Sequence, residues 1–309
     1  MRFHSIVHSA VAIALAATFS LALAADGPPV TPAQVVDRAP ASHWRAIAPD
    51  DLLVMDLGGG RRVVIQIAPT LSPAHVANMR VLARAHWWDG TSINRVQDNY
   101  VVQWGDATEE KPMPPGMAPT GEGDYVQPMG LVRARITALP YADSYAPKAG
   151  FVDGWPVAAD EDHVWLPHCY GFVGVGRNMS PDAGTGAELY AVIGQAPRQL
   201  DRNIAVVGRV IAGIEHLSSL PRGSGPLGFY KNDEKRVAIL SVRLASELPD
   251  GERPRFEAMD TGSASFADYL RLRANRKDDF YIRPAGGVDL CNAPVPVRPT
   301  PQDVMPRTR

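Results

Sequence analysis

Short runs of alternating apolar and polar residues recur between residues 51 and 245, and this pattern restricts the chain to a β-rich fold. The first pair of runs is Asp51–Leu57 and Arg62–Ile67. The glycines at 58–60 between them permit the positive φ angles of a tight hairpin turn. Further strands are predicted at Tyr100–Gln103, Leu131–Ile136, Gly171–Val175, Glu188–Ile193, Ile204–Val210 and Val237–Leu244. Many short strands with few helices indicate a mainly antiparallel β domain, either a barrel or a sandwich.

Two helices are predicted within this domain. Ser72 is a good N-cap and Pro73 suits the first helical position, where its missing N–H costs nothing. His75 is predicted to face solvent. The residues predicted to face the core are Val76, Met79, Leu82 and Ala83. A second, short helix is predicted at Ile214–Leu220, before Pro221.

The first 24 residues have the pattern of a cleavable signal peptide. Arg2 supplies a positive start, Ala10–Leu23 is apolar, and small residues at Ala22 and Ala24 precede the expected cleavage before Ala25. The apolar run is short for a membrane span, and no later run approaches its length. An uncleaved anchor is the alternative. We expect a periplasmic or secreted protein with no stable membrane insertion after cleavage.

The remaining chain divides by composition into three parts. Residues 25–50 are predicted to form a proline-rich N-terminal arm, residues 51–245 the β domain, and residues 246–309 a C-terminal extension. The extension has helical spacing at Phe266–Arg276 and a proline-rich tail from Ala293. The net charge of −2, with scattered Lys and Arg, argues against a nucleic-acid partner.

Cys169 and Cys291 are the two cysteines of the chain. In an exported protein they could form one disulfide. It would close a loop of about 120 residues and stabilise the fold by roughly 4–5 kcal/mol. Two unpaired, buried thiols are the alternative outcome, because sequence does not show proximity.

The most specific segment is residues 90–106, which reads GTSINRVQDNYVVQWGD. It resembles the core signature of the cyclophilin family, approximately G-x-x-F-H-R-V-x-x-x-F-x-x-Q-G-G-D, with matches that include Arg95, Gln103 and Asp106. Other segments follow the family in order and spacing. They are Ala68-Pro69, Val76–Met79, Gly171–Val175, Gly184–Tyr190, Leu200-Asp201 and Val206–Val210.

This resemblance implies a closed eight-stranded antiparallel barrel capped by two helices, with a peptide groove on one face. It also implies peptidyl-prolyl cis–trans isomerase activity toward proline-containing polypeptides, assisting the folding of exported proteins, with no cofactor and no metal. Arg95 would stabilise the twisted X–Pro amide electrostatically, and Gln103 would anchor the substrate backbone. The implied substrate-binding residues are Tyr100, Val101, Asn178, Met179, Glu188, Tyr190, Leu200 and Ile204.

Four departures from the family pattern bear on the groove. Asn94 and Ile204 stand where the family usually has His, Glu188 replaces a groove Gln, and Gln199 replaces a Trp that binds the cyclosporin class of inhibitors. We therefore expect weak inhibition by that class and an altered substrate preference or slower turnover.

Other functional interpretations remain open or are disfavoured. The main alternative is a non-catalytic chaperone or assembly module that binds proline-containing peptides on the same barrel. A scaffold acting through residues 246–309 is a third. A zinc site at His163, His168 and Cys169 is disfavoured, because no further Cys or His pair completes the ligand set. The oligomeric state has no sequence signal.

Overall fold

The computed structural model describes residues 30–232 and 234–301. The predicted signal peptide, residues 1–24, lies outside the described residues. The helices are α1 (Pro32–Arg38), α2 (Pro73–Arg84), α3 (Ile214–Ser218) and α4 (Ala264–Asn275). The strands are β1 (Trp44–Ala46), β2 (Leu52–Leu57), β3 (Arg61–Ile67), β4 (Ser92–Val96), β5 (Val101–Gly105), β6 (Gln127–Pro128), β7 (Thr137–Ala138), β8 (Lys148–Val152), β9 (Trp155–Ala159), β10 (His163–Trp165), β11 (Phe172–Val175), β12 (Leu189–Val192), β13 (Val206–Ala212), β14 (Ile239–Leu244), β15 (Phe256–Met259) and β16 (Val297–Pro299).

Eight antiparallel strands form the barrel that the family resemblance implied. Their order is β14-β2-β3-β13-β11-β12-β5-β4. The N–H of Ile93 donates to the carbonyl of Val237 and the N–H of Ile239 to that of Thr91, each at 2.9 Å, so the first and last strands meet. Alternate residues of each strand fill the interior, because successive side chains of a strand point to opposite faces. Met79 of α2 and Leu217 of α3 join this core, so these two helices cap the barrel.

The prediction that His75 faces solvent is wrong. Its side chain is buried, and Nε2 lies 3.2 Å from the carbonyl oxygen of Ala183. Burial lowers the pKa of His75. The loop that carries Ala183 covers this face of α2, and a helix-periodicity argument contains no information about such a loop.

The long connection between β5 and β11 contains a second sheet, in the order β6-β10-β9-β8-β7. Asp153 and Gly154 join β8 to β9 with φ angles of 48° and 82°, the left-handed pair of a type I′ turn. The predicted strand at Leu131–Ile136 is wrong. This stretch instead contains 3-10 turns at Met129–Leu131 and Arg133–Arg135. Met129 and Val132 are buried three residues apart, a spacing that suits a 3-10 turn.

The N-terminal and C-terminal segments pack together beside this second sheet. Strands β1, β15 and β16 form a third sheet in the order β1-β15-β16. Within residues 30–50, the proline-rich N-terminal segment contains the helix α1 and the strand β1. Thr31 and Gln34 form a capping box that begins α1. The predicted helix of the C-terminal extension is α4, which contributes Phe266 to a core shared with Trp44, Phe151 and Trp165.

Cys169 and Cys291 form a disulfide, with Cα atoms 5.1 Å apart and a sequence separation of 122. It ties the end of the long connection to the C-terminal extension. Of the helices in the described ranges, none has both the length and the apolar character needed to cross a membrane.

Candidate active site

A groove with a volume of about 630 Å³ runs across the outer face of the barrel. Strands β4 and β5 form one side, and the segment between β11 and β12 forms the other. Eight of the predicted site residues line it: Arg95, Tyr100, Val101, Gln103, Asn178, Glu188, Tyr190 and Ile204. Residues far apart in sequence therefore converge as the motifs implied.

Two predicted binding residues, Met179 and Leu200, do not line the groove. The carboxylate of Asp182 accepts a hydrogen bond from the N–H of Asn178 at 2.8 Å, which closes the turn that carries Met179. The Met179 side chain is 85% exposed. Leu200 ends a 3-10 turn, Arg198–Leu200, outside the apolar floor. That floor consists of Val101, Tyr190 and Val192, with Tyr100 and Ile204 packed against it.

Arg95 is half-buried on β4, and its guanidinium is held from three directions. Nε donates to the carbonyl of Leu227 at 2.7 Å, Nη1 donates to Oε1 of Gln103 at 3.3 Å, and Nη2 donates to Oε1 of Gln97. The rings of Tyr100 and Phe229 flank it, with centroids 5.5 Å and 5.3 Å from Cζ. Burial lowers the pKa of Arg95. A guanidinium has five N–H donors. The three hydrogen bonds fix its position while leaving N–H groups on both Nη atoms for a substrate.

Gln103 connects Arg95 to Glu188. Its Oε1 accepts from Arg95, and its side-chain amide also hydrogen-bonds the Glu188 carboxylate. The side chain therefore orients the guanidinium, a task additional to the predicted anchoring of substrate backbone.

Glu188 lies against two glycines that make room for its side chain. A Cβ at Gly105 would fall 1.8 Å from Oε1 of Glu188, and a Cβ at Gly176 would fall 2.9 Å from Cβ of Glu188. Burial raises the pKa of Glu188 from 4.5 to about 7, and the neighbouring Glu109 and Asp106 act in the same direction. The groove thus contains a carboxyl group whose charge changes near neutral pH.

The hydroxyl of Tyr190 is hydrogen-bonded behind the groove. The hydroxyl lies 2.8 Å from Nε2 of His168, whose Nδ1 lies 2.9 Å from Oδ1 of Asp201. Arg198 joins Asp201 to Asp143 through two further buried ion pairs. Because a carboxylate only accepts, Nδ1 of His168 donates to Asp201, and Nε2 is the ring nitrogen that bonds the hydroxyl. Burial raises the pKa of Tyr190, so the phenol stays protonated.

This network assigns His168 and Cys169 to roles other than metal binding. His168 bonds Tyr190 and Asp201, and Cys169 is in the disulfide. Within residues 30–232 and 234–301, no group of three or more His, Cys, Asp or Glu side chains is arranged to hold a metal ion.

The sequence interpretation missed the loop at residues 221–230, which forms the Arg95 end of the groove. Leu227 and Phe229 of this loop line the groove, and Leu227 supplies the carbonyl that accepts from Arg95. Glycines at 223, 225 and 228 were the available signal, since they indicate a tightly turned loop.

Comparison with known proteins identifies related sequences and structures. The family model described as "Cyclophilin type peptidyl-prolyl cis-trans isomerase/CLD" matches residues 52–244. A "Probable peptidyl-prolyl cis-trans isomerase" of Brucella abortus (strain 2308) is 25% identical over 196 residues, covering 62% of this chain and 83% of the relative. Its counterpart in Brucella suis biovar 1 (strain 1330) is 24% identical over the same shares. The crystal structure of cyclophilin AquaCyp293 from Hirschia baltica superposes with a TM-score of 0.64 at 25% identity, covering 87% of this chain and 97% of that one.

Proposed function

Because the chain belongs to the cyclophilin-type peptidyl-prolyl cis–trans isomerase family, we propose that its groove catalyses the rotation of X–Pro peptide bonds in exported polypeptides. Arg95 supplies the electrostatic stabilisation, and the floor around Val101 and Tyr190 receives the proline ring. The observation that carries this proposal is the position of Arg95, whose guanidinium is fixed beside the apolar floor and lines the groove.

The chemistry needs no covalent intermediate. Rotation about an X–Pro bond breaks amide resonance, and the barrier is about 18–20 kcal/mol. As the bond twists, the prolyl nitrogen becomes pyramidal and gains a lone pair. An Arg95 N–H that donates to this lone pair forms a bond made chiefly in the transition state. Each tenfold acceleration requires that the activation free energy fall by about 1.4 kcal/mol.

Prior fixation of the guanidinium supports this role. The contacts of Arg95 with Leu227 and Gln103 exist before substrate arrives, so little reorganisation accompanies the reaction. Tyr190 is equally fixed by His168, which keeps its ring edge in the floor of the groove. The site therefore has a rigid pocket for the ring and a rigid donor for the nitrogen.

We also propose that the protein works outside the cytoplasm, where it assists the folding of exported chains. The signal-peptide pattern of residues 1–24 and the disulfide between Cys169 and Cys291 support this location, since disulfides persist in oxidising compartments. Fractionation of cells that express the full chain, followed by mass determination of the N-terminus, tests it. A cytoplasmic product that begins at residue 1 would refute the location.

Exchange NMR on short X–Pro peptides tests the activity directly. The measured cis–trans exchange rate should rise in proportion to the enzyme concentration. Peptide binding without any increase in that rate would favour the alternative, a binding module on the same barrel.

A further inference from the structure

We propose that Leu227 and Phe229 form an apolar subsite at the Arg95 end of the groove, which selects polypeptides with a large apolar side chain flanking the proline. This inference rests on the proposed isomerase function and names its substrate class. Both side chains line the same groove as the catalytic arginine and are 66% and 39% exposed. Exposed apolar side chains gathered at one place on a protein surface typically mark a binding site.

The loop that carries the pair is fixed to the barrel. The N–H of Gly223 donates to the carbonyl of Val96 at 3.0 Å, and the N–H of Tyr230 donates to that of Asn94 at 2.9 Å. Phe229 also forms a β-bridge with Arg95. The two apolar side chains therefore stand on a scaffold whose backbone is bonded to β4, as a preorganised subsite requires.

Close packing keeps the loop against the strand. A Cβ at Gly228 would fall 2.7 Å from the Cα of Gln97, and a Cβ at Gly223 would fall 2.2 Å from the carbonyl oxygen of Gly228. Only glycine allows these approaches. Within the loop, the N–H of Gly225 donates to the carbonyl of Phe229 at 2.9 Å.

Leu227 adopts a backbone conformation that disfavours a large side chain. Its φ is 56° and its ψ is 17°, in the left-handed region that Gly and Asn adopt readily and Leu rarely. Backbone strain of this kind is often retained at functional sites. Here the conformation directs the Leu227 carbonyl to Arg95 while the side chain lines the groove.

The subsite is apolar, whereas acidic side chains lie farther along the groove. Glu188, Asp106 and Glu109 lie at the Gln103 end, whereas Leu227 and Phe229 lie beside Arg95. A substrate with its proline on the floor would extend a flanking side chain over this pair. An aliphatic or aromatic side chain would lose water-exposed surface there, and a small one would gain little.

Two peptide series measured by exchange NMR test the inference on the full mature chain. Each series keeps Ala-Pro-Ala as its reference and replaces the residue before or after the proline by Phe, Leu or Asp. We expect kcat/KM to be about tenfold higher for Phe or Leu than for Ala on one side of the proline. The side that shows the difference identifies which neighbour contacts the loop.

Leu227→Asn is the diagnostic variant, because Asn tolerates the left-handed conformation and keeps the backbone carbonyl. Leu227→Gly is the second variant, and the thermal midpoint reports whether each is folded. Both should reduce the Phe-over-Ala ratio to about twofold or less. Leu240→Asn is the matched control, since Leu240 is 57% exposed on β14 and does not line the groove. It should leave the ratio unchanged.

Dissociation constants for the same peptides separate this inference from the proposed function. Absence of turnover on every peptide would refute the isomerase proposal, while the affinities would still report on the subsite. Equal affinities and equal kcat/KM for the Ala and Phe peptides would overturn the subsite. An undiminished ratio in folded Leu227→Asn and Leu227→Gly would overturn it as well.

Discussion

Replacing Glu188 by Gln should change how the protein responds to pH. The carboxyl group is mostly buried between Gly105 and Gly176, and its pKa rises from 4.5 to about 7. A carboxyl whose pKa is higher in the folded protein than in the unfolded chain stabilises the fold most at low pH. The stability of the wild type should therefore fall as the pH rises from about 4.5 to about 7. Glu188→Gln removes this titration.

The magnitude follows from the displacement of the pKa. Each pKa unit corresponds to about 1.36 kcal/mol, so a displacement from 4.5 to about 7 would give about 3 kcal/mol for a fully buried group. Glu188 keeps some contact with water, which reduces the expected effect to about 2 kcal/mol. Relative to the wild type, Glu188→Gln should thus gain about 2 kcal/mol of unfolding free energy between pH 4.5 and pH 8.

Urea unfolding at several pH values measures the difference in unfolding free energy. Exchange NMR measures the effect of Glu188 ionisation on activity. Ionised Glu188 lowers the positive potential that Arg95 presents to the prolyl nitrogen, so kcat/KM of the wild type should fall between pH 6 and pH 8. The kcat/KM of Glu188→Gln should not change with pH over that range. A wild type and variant whose stabilities stay parallel from pH 4.5 to pH 8 would refute the reasoning.

Four further substitutions test the structure in and around the site. His168→Phe removes the partner of the Tyr190 hydroxyl and one of the partners of the buried Asp201 carboxylate, and it should lower the unfolding free energy by about 2–4 kcal/mol. Tyr190→Phe should lower the unfolding free energy by only about 1 kcal/mol. Equal losses of unfolding free energy for the two variants in urea titrations would contradict the hydrogen-bond network described for His168. Cys291→Ser should lower the stability by about 4–5 kcal/mol; identical urea midpoints with and without reductant in the wild type would count against this. Gly174→Ala places a Cβ 2.3 Å from the Tyr190 ring and should reduce kcat/KM by at least tenfold, with an unchanged kcat/KM as the contrary result.

The strands of the barrel and much of the groove could be predicted from the sequence because their signals are local. Alternation in β3 and the Ser72-Pro73 start of α2 are properties of neighbouring residues. The segment around Arg95 combines a strand, a turn and the next strand, so its motif fixes the relative placement of Arg95 and Gln103. The Tyr190 side of the groove followed from a second motif of the same kind.

The parts that sequence missed depend on contacts between distant segments. Met179 was predicted to bind substrate, but it lies in the turn closed by the hydrogen bond from Asn178 to Asp182, and its side chain does not line the groove. His168 acquires its role only when β12 and the Asp201 turn lie beside it. The hairpin at Asp153-Gly154 is different, because its Asp-Gly turn was a readable signal.

The central claim is that Arg95 lowers the barrier to X–Pro rotation, and kcat/KM of Arg95→Ala measured by exchange NMR tests it most directly. Arg95→Lys, which keeps the charge but loses the planar fork, serves as the matched variant. Loss of one charge-assisted hydrogen bond in the transition state should lower kcat/KM of Arg95→Ala by about 100-fold. Arg95→Lys should fall between Arg95→Ala and the wild type, and thermal midpoints should show that both variants fold. Equal kcat/KM for the wild type and a folded Arg95→Ala would contradict the account.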